Sequence, residues 1–338
     1  GLARGLLRNA VEMFERAGRD MEHSEALRRL SLVQGHVGVL DDARALADKS
    51  LELAQTDLQR ALACIALGIV DVLEDRFEAA LAHSDAALAH LKREKQRALP
   101  GAYAAAYMLR ARVHRILGST SRALGAAARA SHLARQAGER RLEAETTARL
   151  GGLLLDADRP EEAEARLREA LLLAEEIEDR RGEALARLFL GILLWEAADP
   201  ESRSMLERAG ELATDLGLNR LEAVSCSIRA RIRREGAELV TALALSTRAM
   251  ELLARFGAEL NDRIVIAGTH ALVLRTLDRG DEAAKLEVDL RARVEGENER
   301  LASPLFRLRH ARASARLLDA VLSPEGPVYP RAAVDERP

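Results

Sequence analysis

Two histidines, His83 and His90, stand seven residues apart and share a face if their segment is helical. Imidazoles at that spacing could begin a zinc site, but a zinc site takes at least three protein ligands and no third lies near. The other histidines are scattered along the chain. The two cysteines, Cys64 and Cys226, fall in separate apolar runs, which reads as two buried thiols rather than a disulfide. Adjacent carboxylates at Asp41 and Asp42, and at Glu161 and Glu162, have the look of acid–base pairs. Both pairs sit where a helix should start, and negative charge there complements the helix dipole. HExxH, CxxC, GxxxxGK[ST] and a GxGxxG after a strand are all absent, and "LGSTSRALG" reads as a turn between helices. A Ser-His-Asp triad needs no closeness in sequence, but no nucleophile motif accompanies one. The expectation is a non-enzymatic protein with no catalytic, cofactor-binding or metal-binding residues and no cofactor.

Composition narrows the class further. The 338 residues are 48% hydrophobic, 31% charged and only 3% aromatic, and Ala, Leu, Arg and Glu dominate. These are strong helix formers, so an all-α chain is expected. The net charge is −3 with arginine spread through every segment, which argues against a nucleic-acid binder, and the few aromatics offer no base-stacking platform. The longest uncharged apolar run, residues 61–70, is too short to cross a bilayer, and the N-terminus has no signal-peptide pattern. A cytoplasmic protein without a membrane partner is expected. The missing initiator Met suggests part of something longer.

The elements that position any functional residue emerge from the stretch "GGLLLDADRPEEAEARLREAL", which begins at Gly151. Ala163, Leu167, Ala170, Leu171, Ala174 and Ile177 form one helical stripe. Pro160 suits a first helical turn, and Asp158 before it is expected to cap. Glu162 with Arg166, and Glu164 with Arg168, stand in i,i+4 order. A preceding helix should run from about Leu142 to Asp156. The unit is a helical hairpin with a tight turn.

The same second-helix anchors recur as Ala43/Ala47/Ser50, Ala80/Ser84/Ala87, Ala123/Ala127/Ala130, Ala163/Leu167/Ala170, Ser202/Leu206/Ala209, Ala242/Ser246/Ala249 and Ala283/Glu287/Leu290. Their first members are 37, 43, 40, 39, 40 and 41 residues apart. Each first helix carries a small residue about twelve positions earlier: Ser31, Gly68, Ala111, Gly151, Gly191, Ala230 and Ala271. Asp41, Asp75, Asp158 and Asp199 fall in or beside the intervening turns. Small residues on both helices permit close approach, and a fixed period near forty signals an α-solenoid of antiparallel hairpins. Seven hairpins are expected over residues 24–296. Residues 1–18 read as the second helix of a truncated repeat. Residues 297–322 read as a capping helix started by Ser303 and Pro304. Its Leu301, Leu305, Leu308, Ala315, Leu318 and Leu322 should face the last hairpin, with Arg300, Arg307, Arg309, Arg312 and Arg316 outside. Residues 323–338 hold four of the eight prolines and read as a flexible tail.

"LGGLLLDADRPEEAEARLREALLLAEE" and "IALGIVDVLEDRFEAALAHSDAALAH" resemble the tetratricopeptide repeat family, with the Leu-Gly pair and the later alanines at family spacing. The likeness covers nearly the whole chain but is loose in each repeat. The family's aromatic positions are mostly Leu or Ala here, and the period exceeds the usual 34 residues. HEAT-type repeats share the period but lack the regular alanine anchors. Phrasing such as "EDRRGEALARLFLGILL" looks like the long repeats of large bacterial signalling proteins, where they follow a kinase or nucleotide-switch ATPase domain.

The resemblance implies a right-handed superhelix whose first helices line a concave groove. Mapped from each small residue, the groove positions are Met108, Arg112, Arg115, Leu188, Ile192, Trp195, Arg231, Arg234 and Arg275. Leu188, Ile192 and Trp195 make either ordinary inter-hairpin core or an apolar anchor pocket. The arginines make either a solvated face or cationic flanks for a peptide with acidic residues. The family's carboxylate clamp of Lys and Asn is missing, so chaperone-tail binding is not implied. The resulting expectation is a protein–protein interaction scaffold, the regulatory region of a larger bacterial signalling protein. The alternative is a sensor that binds a small molecule or signalling peptide and controls an attached effector domain. Neither reading implies nucleic acid.

Overall fold

The computed structural model describes residues 2–94, 99–324 and 326–327. Among them every regular element is an α-helix. A lone helix α1 (Leu2–Arg16) precedes seven hairpins. These pair α2 (Asp20–His36) with α3 (Leu40–Glu52), α4 (Asp57–Leu73) with α5 (Phe77–Arg93), and α6 (Pro100–Ile116) with α7 (Thr120–Ala137). Next come α8 (Arg140–Asp156) with α9 (Pro160–Glu176), and α10 (Arg180–Glu196) with α11 (Glu201–Asp215). The last two pair α12 (Asn219–Glu235) with α13 (Leu239–Phe256), and α14 (Leu260–Thr276) with α15 (Gly280–Arg300). A final helix, α16 (Pro304–Leu322), packs on both α14 and α15.

The anchors form the hairpin seams. Gly151 faces Leu167, and a Cβ added there would lie 2.6 Å from the Leu167 Cγ. Gly191 meets Leu206 at the same 2.6 Å. Ala43, Ala80, Ala123, Ala163, Ala242 and Ala283 are all fully buried. In the weakest copy Glu287 replaces the middle anchor, and its largely buried carboxylate pairs with Arg275 at 2.6 Å. Successive first helices also touch one another, from α2·α4 through α12·α14, so they form a continuous inner layer. That layer is the concave side.

The turns inside the hairpins share one backbone device. Gly38, Asp75, Gly118, Asp158, Ala198, Ala237 and Asp278 each take positive φ. Asp tolerates the left-handed region better than most residues, which explains its recurrence at three of these places. Asp158 therefore bends the chain, and the residue at the α9 cap is Arg159, whose side chain makes no capping hydrogen bond. Asp199 does cap, accepting the Glu201 N–H at 2.8 Å. Asp41 lies inside the first turn of α3. Glu164 pairs with Arg168 at 2.8 Å as expected, whereas Glu162 takes Arg159 at 2.6 Å and Arg166 takes Glu169 at 2.7 Å.

The C-terminal helix differs from the expectation in its boundary and its face. Residues 297–300 continue α15, and α16 starts at Pro304 with the Ser303 hydroxyl accepting from the Phe306 N–H. Leu301, Leu318 and Leu322 are buried, but Leu305 and Leu308 are exposed. His310, Ser314, Leu317 and Val321 take the inner face because α16 packs on α14 and also reaches the earlier hairpins. Residues 328–338, most of the expected tail, lie outside the described residues.

Gly151→Val and Gly191→Val should each lower stability by about 1–3 kcal/mol through overpacking of the seam. Gly125→Ala, at an exposed position of α7 with nothing within 4 Å of an added Cβ, should raise it by about 0.5–1 kcal/mol. Urea unfolding midpoints check both; an unchanged midpoint for the two valine variants contradicts the seam.

Candidate binding surface

The nine groove positions separate into three groups. Met108, Leu188 and Ile192 are 8%, 3% and 0% exposed and belong to the main core. They pack hairpin on hairpin and offer no open apolar pocket. Arg275 is exposed and tied within its own hairpin to Glu287. Arg112 and Arg115 belong to an electrostatic cluster on the concave side. Trp195, Arg231 and Arg234 gather at a second place.

The concave cluster takes residues from four successive first helices. Arg112 comes from α6, Glu145 and Arg149 from α8, Arg181 from α10 and Arg220 from α12. Arg112 binds Glu259, just before α14, at 2.5 Å, and Arg115 binds Asp156 at 2.6 Å. Arg149 holds Glu145 at 3.0 Å, while Arg181 reaches the same carboxylate only at 4.0 Å. Arg220 donates to the Gly35 carbonyl at 2.7 Å and makes no ion pair among the described residues. The buried Nε atoms of Arg112 and Arg220 have no hydrogen-bond partner. Burial brings the Arg220 guanidinium down to about 10, against some support from Glu259. Burial also works to raise the Glu259 carboxyl, but Arg112, Arg149 and Arg115 outweigh it and hold it at about 2. His36 lies beside the cluster; burial first, then Arg220, Arg181 and Arg112, push its imidazole below its usual value. The surface is thus a set of charged groups in which Arg220 is short of acceptors and the half-exposed Arg181 has no close carboxylate.

At the second place Arg231 is completely buried, with its guanidinium 6.0 Å over the Trp195 ring. It donates to backbone carbonyls at the end of α16, including Val321 at 3.0 Å and Ser323 at 2.9 Å. Arg234 donates to the Pro324 carbonyl at 2.7 Å. Trp195 donates from Nε1 to Glu235 at 3.2 Å. The chain's own C-terminal segment therefore covers part of the expected groove.

The curvature also brings early hairpins against late ones. The Asp75 carboxylate in the α4–α5 turn pairs with Arg263 of α14 and lies 3.6 Å from Arg293. Glu78 at the start of α5 accepts both the Ala302 and Ser303 N–H groups at 2.8 Å. Ser119 meets Arg309 of α16 at 3.2 Å, so Arg309 is not an outer residue. Phe77 stacks near His310, with ring centroids 6.0 Å apart. Gly38 sits against Phe256, with room for a Cβ only 3.2 Å from its Cα.

The other residues with chemical potential are placed separately. His83 binds Asp71 at 2.6 Å and His90 binds Asp57 at 2.7 Å, so the pair serves two different carboxylates. Asp71 is fully buried and also holds Arg44 and Arg76. Cys64 and Cys226 are buried free thiols. Among the described residues no group of three His, Cys, Asp or Glu is placed to hold a metal ion. No described helix is long and apolar enough to cross a membrane.

No family model matches the chain, and no curated protein matches its sequence. Solved structures do match. A Rap protein complexed with competence and sporulation factor superposes with a TM-score of 0.63 at 16% identity, over 95% of this chain and 96% of that one. NprR in complex with its cognate peptide NprX gives 0.55 at 14% identity, over 88% and 83%. A STAND signal-transduction ATPase with a tetratricopeptide repeat sensor, from Pyrococcus horikoshii, gives 0.54 at 15% identity, over 94% of this chain and 49% of that one. The fold is a tetratricopeptide-like helical-repeat solenoid.

Asp75→Asn leaves Arg263 buried without its anion, and should cost about 3–5 kcal/mol and raise the radius of gyration in solution scattering. Asp281→Asn, at an exposed first turn, is the control and should do neither. For Glu259 the folded pKa is depressed, so its contribution is complete above its unfolded value of about 4.3 and is lost as pH falls through about 2. The stability difference between wild type and Glu259→Gln should therefore be full at pH 7 and shrink below pH 4. A difference that grows on acidification contradicts the assignment.

Proposed function

We propose that this solenoid is a non-catalytic interaction scaffold that holds a protein segment on its concave face, as the regulatory region of a larger bacterial signalling protein in the cytoplasm. The observation that carries the reading is the concave cluster. First helices from four hairpins converge there, and Arg181 and Arg220 lack a close carboxylate while two guanidinium Nε atoms lack any acceptor. Guanidinium groups left in that state favour carboxylates brought by a ligand, because charge-assisted hydrogen bonds are the stronger ones. The ligand this favours is an extended segment with acidic residues. Apolar anchoring contributes less than the sequence suggested, because Leu188 and Ile192 are spent on the core. Two of the similar structures are complexes, one with competence and sporulation factor and one with a cognate peptide, which supports a segment-binding use of this fold.

A second reading, a sensor that controls an attached effector domain, draws on the ATPase with a repeat sensor, of which the chain spans about half. A small ligand that raises the melting temperature by mass action would favour it.

The scaffold reading is tested with a fluorescein-labelled nonapeptide carrying two glutamates and with its lysine counterpart. The acidic peptide should bind saturably and the basic one at least tenfold more weakly, and Arg181→Glu should remove the preference. Equal binding of both peptides to wild type and variant sinks the reading.

A further inference from the structure

We infer that the end of α16 and the turn after it, residues 320–324 with 326, are a built-in occupant of the concave surface, held by a site on α12 that reads backbone carbonyls. The inference rests on the segment-binding reading above and assigns a second ligand chemistry to that face: the C-terminal end of a helix, or the carboxylate of a chain end, in place of an acidic side chain.

Arg231 is the central residue. It is the largest side chain that is completely buried, yet it makes no ion pair among the described residues. Its two terminal nitrogens donate instead to the carbonyls of Ala320 at 3.5 Å, Val321 at 3.0 Å, Ser323 at 2.9 Å and Gly326. Arg234, one turn further along α12, takes the Pro324 carbonyl. Trp195 of α10 backs the Arg231 guanidinium from the other side and is itself fixed by Glu235.

The chemistry explains the choice of occupant. The last carbonyls of a helix have no intrahelical partner and carry the negative end of its dipole. A planar guanidinium with five donors can collect several of them at once. Burying a cation away from water is costly unless acceptors surround it, and here the acceptors are those carbonyls. If the segment leaves, Arg231 faces an open position with its donors unsatisfied, and a ligand offering the same acceptors takes it. The segment and such a ligand therefore exclude one another. Burial holds the guanidinium lowered to about 10, which still leaves it charged at neutral pH.

The test uses a fluorescein-labelled peptide with the sequence of residues 319–327, DAVLSPEGP, and the chain truncated after Leu318, which removes every carbonyl to which Arg231 donates. The peptide should bind the truncated chain saturably, bind the intact chain at least tenfold more weakly, and lose binding to the truncated chain on Arg231→Met. Equal binding to intact and truncated chains, no binding to a truncated chain that melts cooperatively, or indifference to Arg231→Met each overturns the proposal. A second measurement needs no truncation: in the intact chain Arg231→Met should speed chymotryptic cleavage after Leu322 at least tenfold, and an unchanged rate overturns it. The two readings fail separately. If the acidic nonapeptide still binds through Arg181 while DAVLSPEGP does not bind, only this inference falls. If the acidic nonapeptide shows no preference while DAVLSPEGP binds, only the acidic-segment reading falls.

Discussion

The close crossing of two helices inside each hairpin is the constraint on which the rest of the molecule depends. At Gly151 and Gly191 the facing leucine occupies the space a side chain would need. Elsewhere an alanine, a serine or, in α4, Gly68 does the same, buried on each helix. Because each crossing is short and the crossings are alike, the seven hairpins stack with a nearly constant step. A constant step with a first helix always inside produces continuous curvature, as in other solenoids. Curvature in turn brings together residues far apart in the chain. Arg112 and Glu259 meet across 147 positions, and Asp75 and Arg263 across 188. No local signal specifies these meetings. They are consequences of the seam repeated seven times.

The two kinds of contact in the molecule have different physical origins. Along the stack, hairpins join through apolar faces, most of which merge into one long core. Between early and late hairpins, the apolar faces are already used, so what remains to meet is the polar matter of turns and helix ends. Hence the joints there are mainly an acid–guanidinium pair at Asp75, backbone N–H groups on Glu78, and a carbonyl on Arg220. Joints of this kind bury little apolar area and depend on geometry, so they resemble contacts between domains more than a core. The stack is the firm element, and the joints across it are the ones a ligand on the concave face can most readily bias.

How far the sequence revealed this follows the same division. Every small residue named as an anchor from Ser31 to Ala271 is buried, because seam packing is local and its requirement for small volume shows in residue type. Fixed offsets from those anchors found Arg112 but not Arg149, Arg181, Arg220 or Glu259. The inward-facing point drifts along successive helices as the stack twists: it lies near the end of α6, the middle of α8 and the beginnings of α10 and α12. A template with one offset per repeat cannot follow that drift. The same template placed Leu188 and Ile192 in the groove, although residues next to a seam glycine are the ones the neighbouring hairpin covers. For α16 the leucine stripe was misread by a partial rotation. Its buried face is chosen by α14 and by the distant α5 and α6–α7 turn, which the local pattern does not encode.

Repetition also shows where to look for what is not structural. A position that recurs in every hairpin is explained by the stack, and Asp75, Asp158 and Asp278 in the turns are explained by a left-handed backbone. Arg231 has no such explanation. The corresponding position, one residue after the small anchor, holds Leu32, Ile69, Arg112, Gly152, Ile192 and Leu272 in the other hairpins. Apolar or small residues suit it four times in this set besides the glycine, and the two arginines depart from the rule in different ways. Arg112 finds a carboxylate on a remote hairpin. Among the described residues Arg231 finds the Trp195 ring and carbonyls, and the carbonyls come from the end of the last helix and the turn after it. An apolar side chain would fill the same volume without the cost of a buried charge, so packing alone does not account for the arginine. Its donors match the acceptors at the end of a helix, and that match gives the concave face a chemistry distinct from the acid-seeking cluster around Arg181 and Arg220.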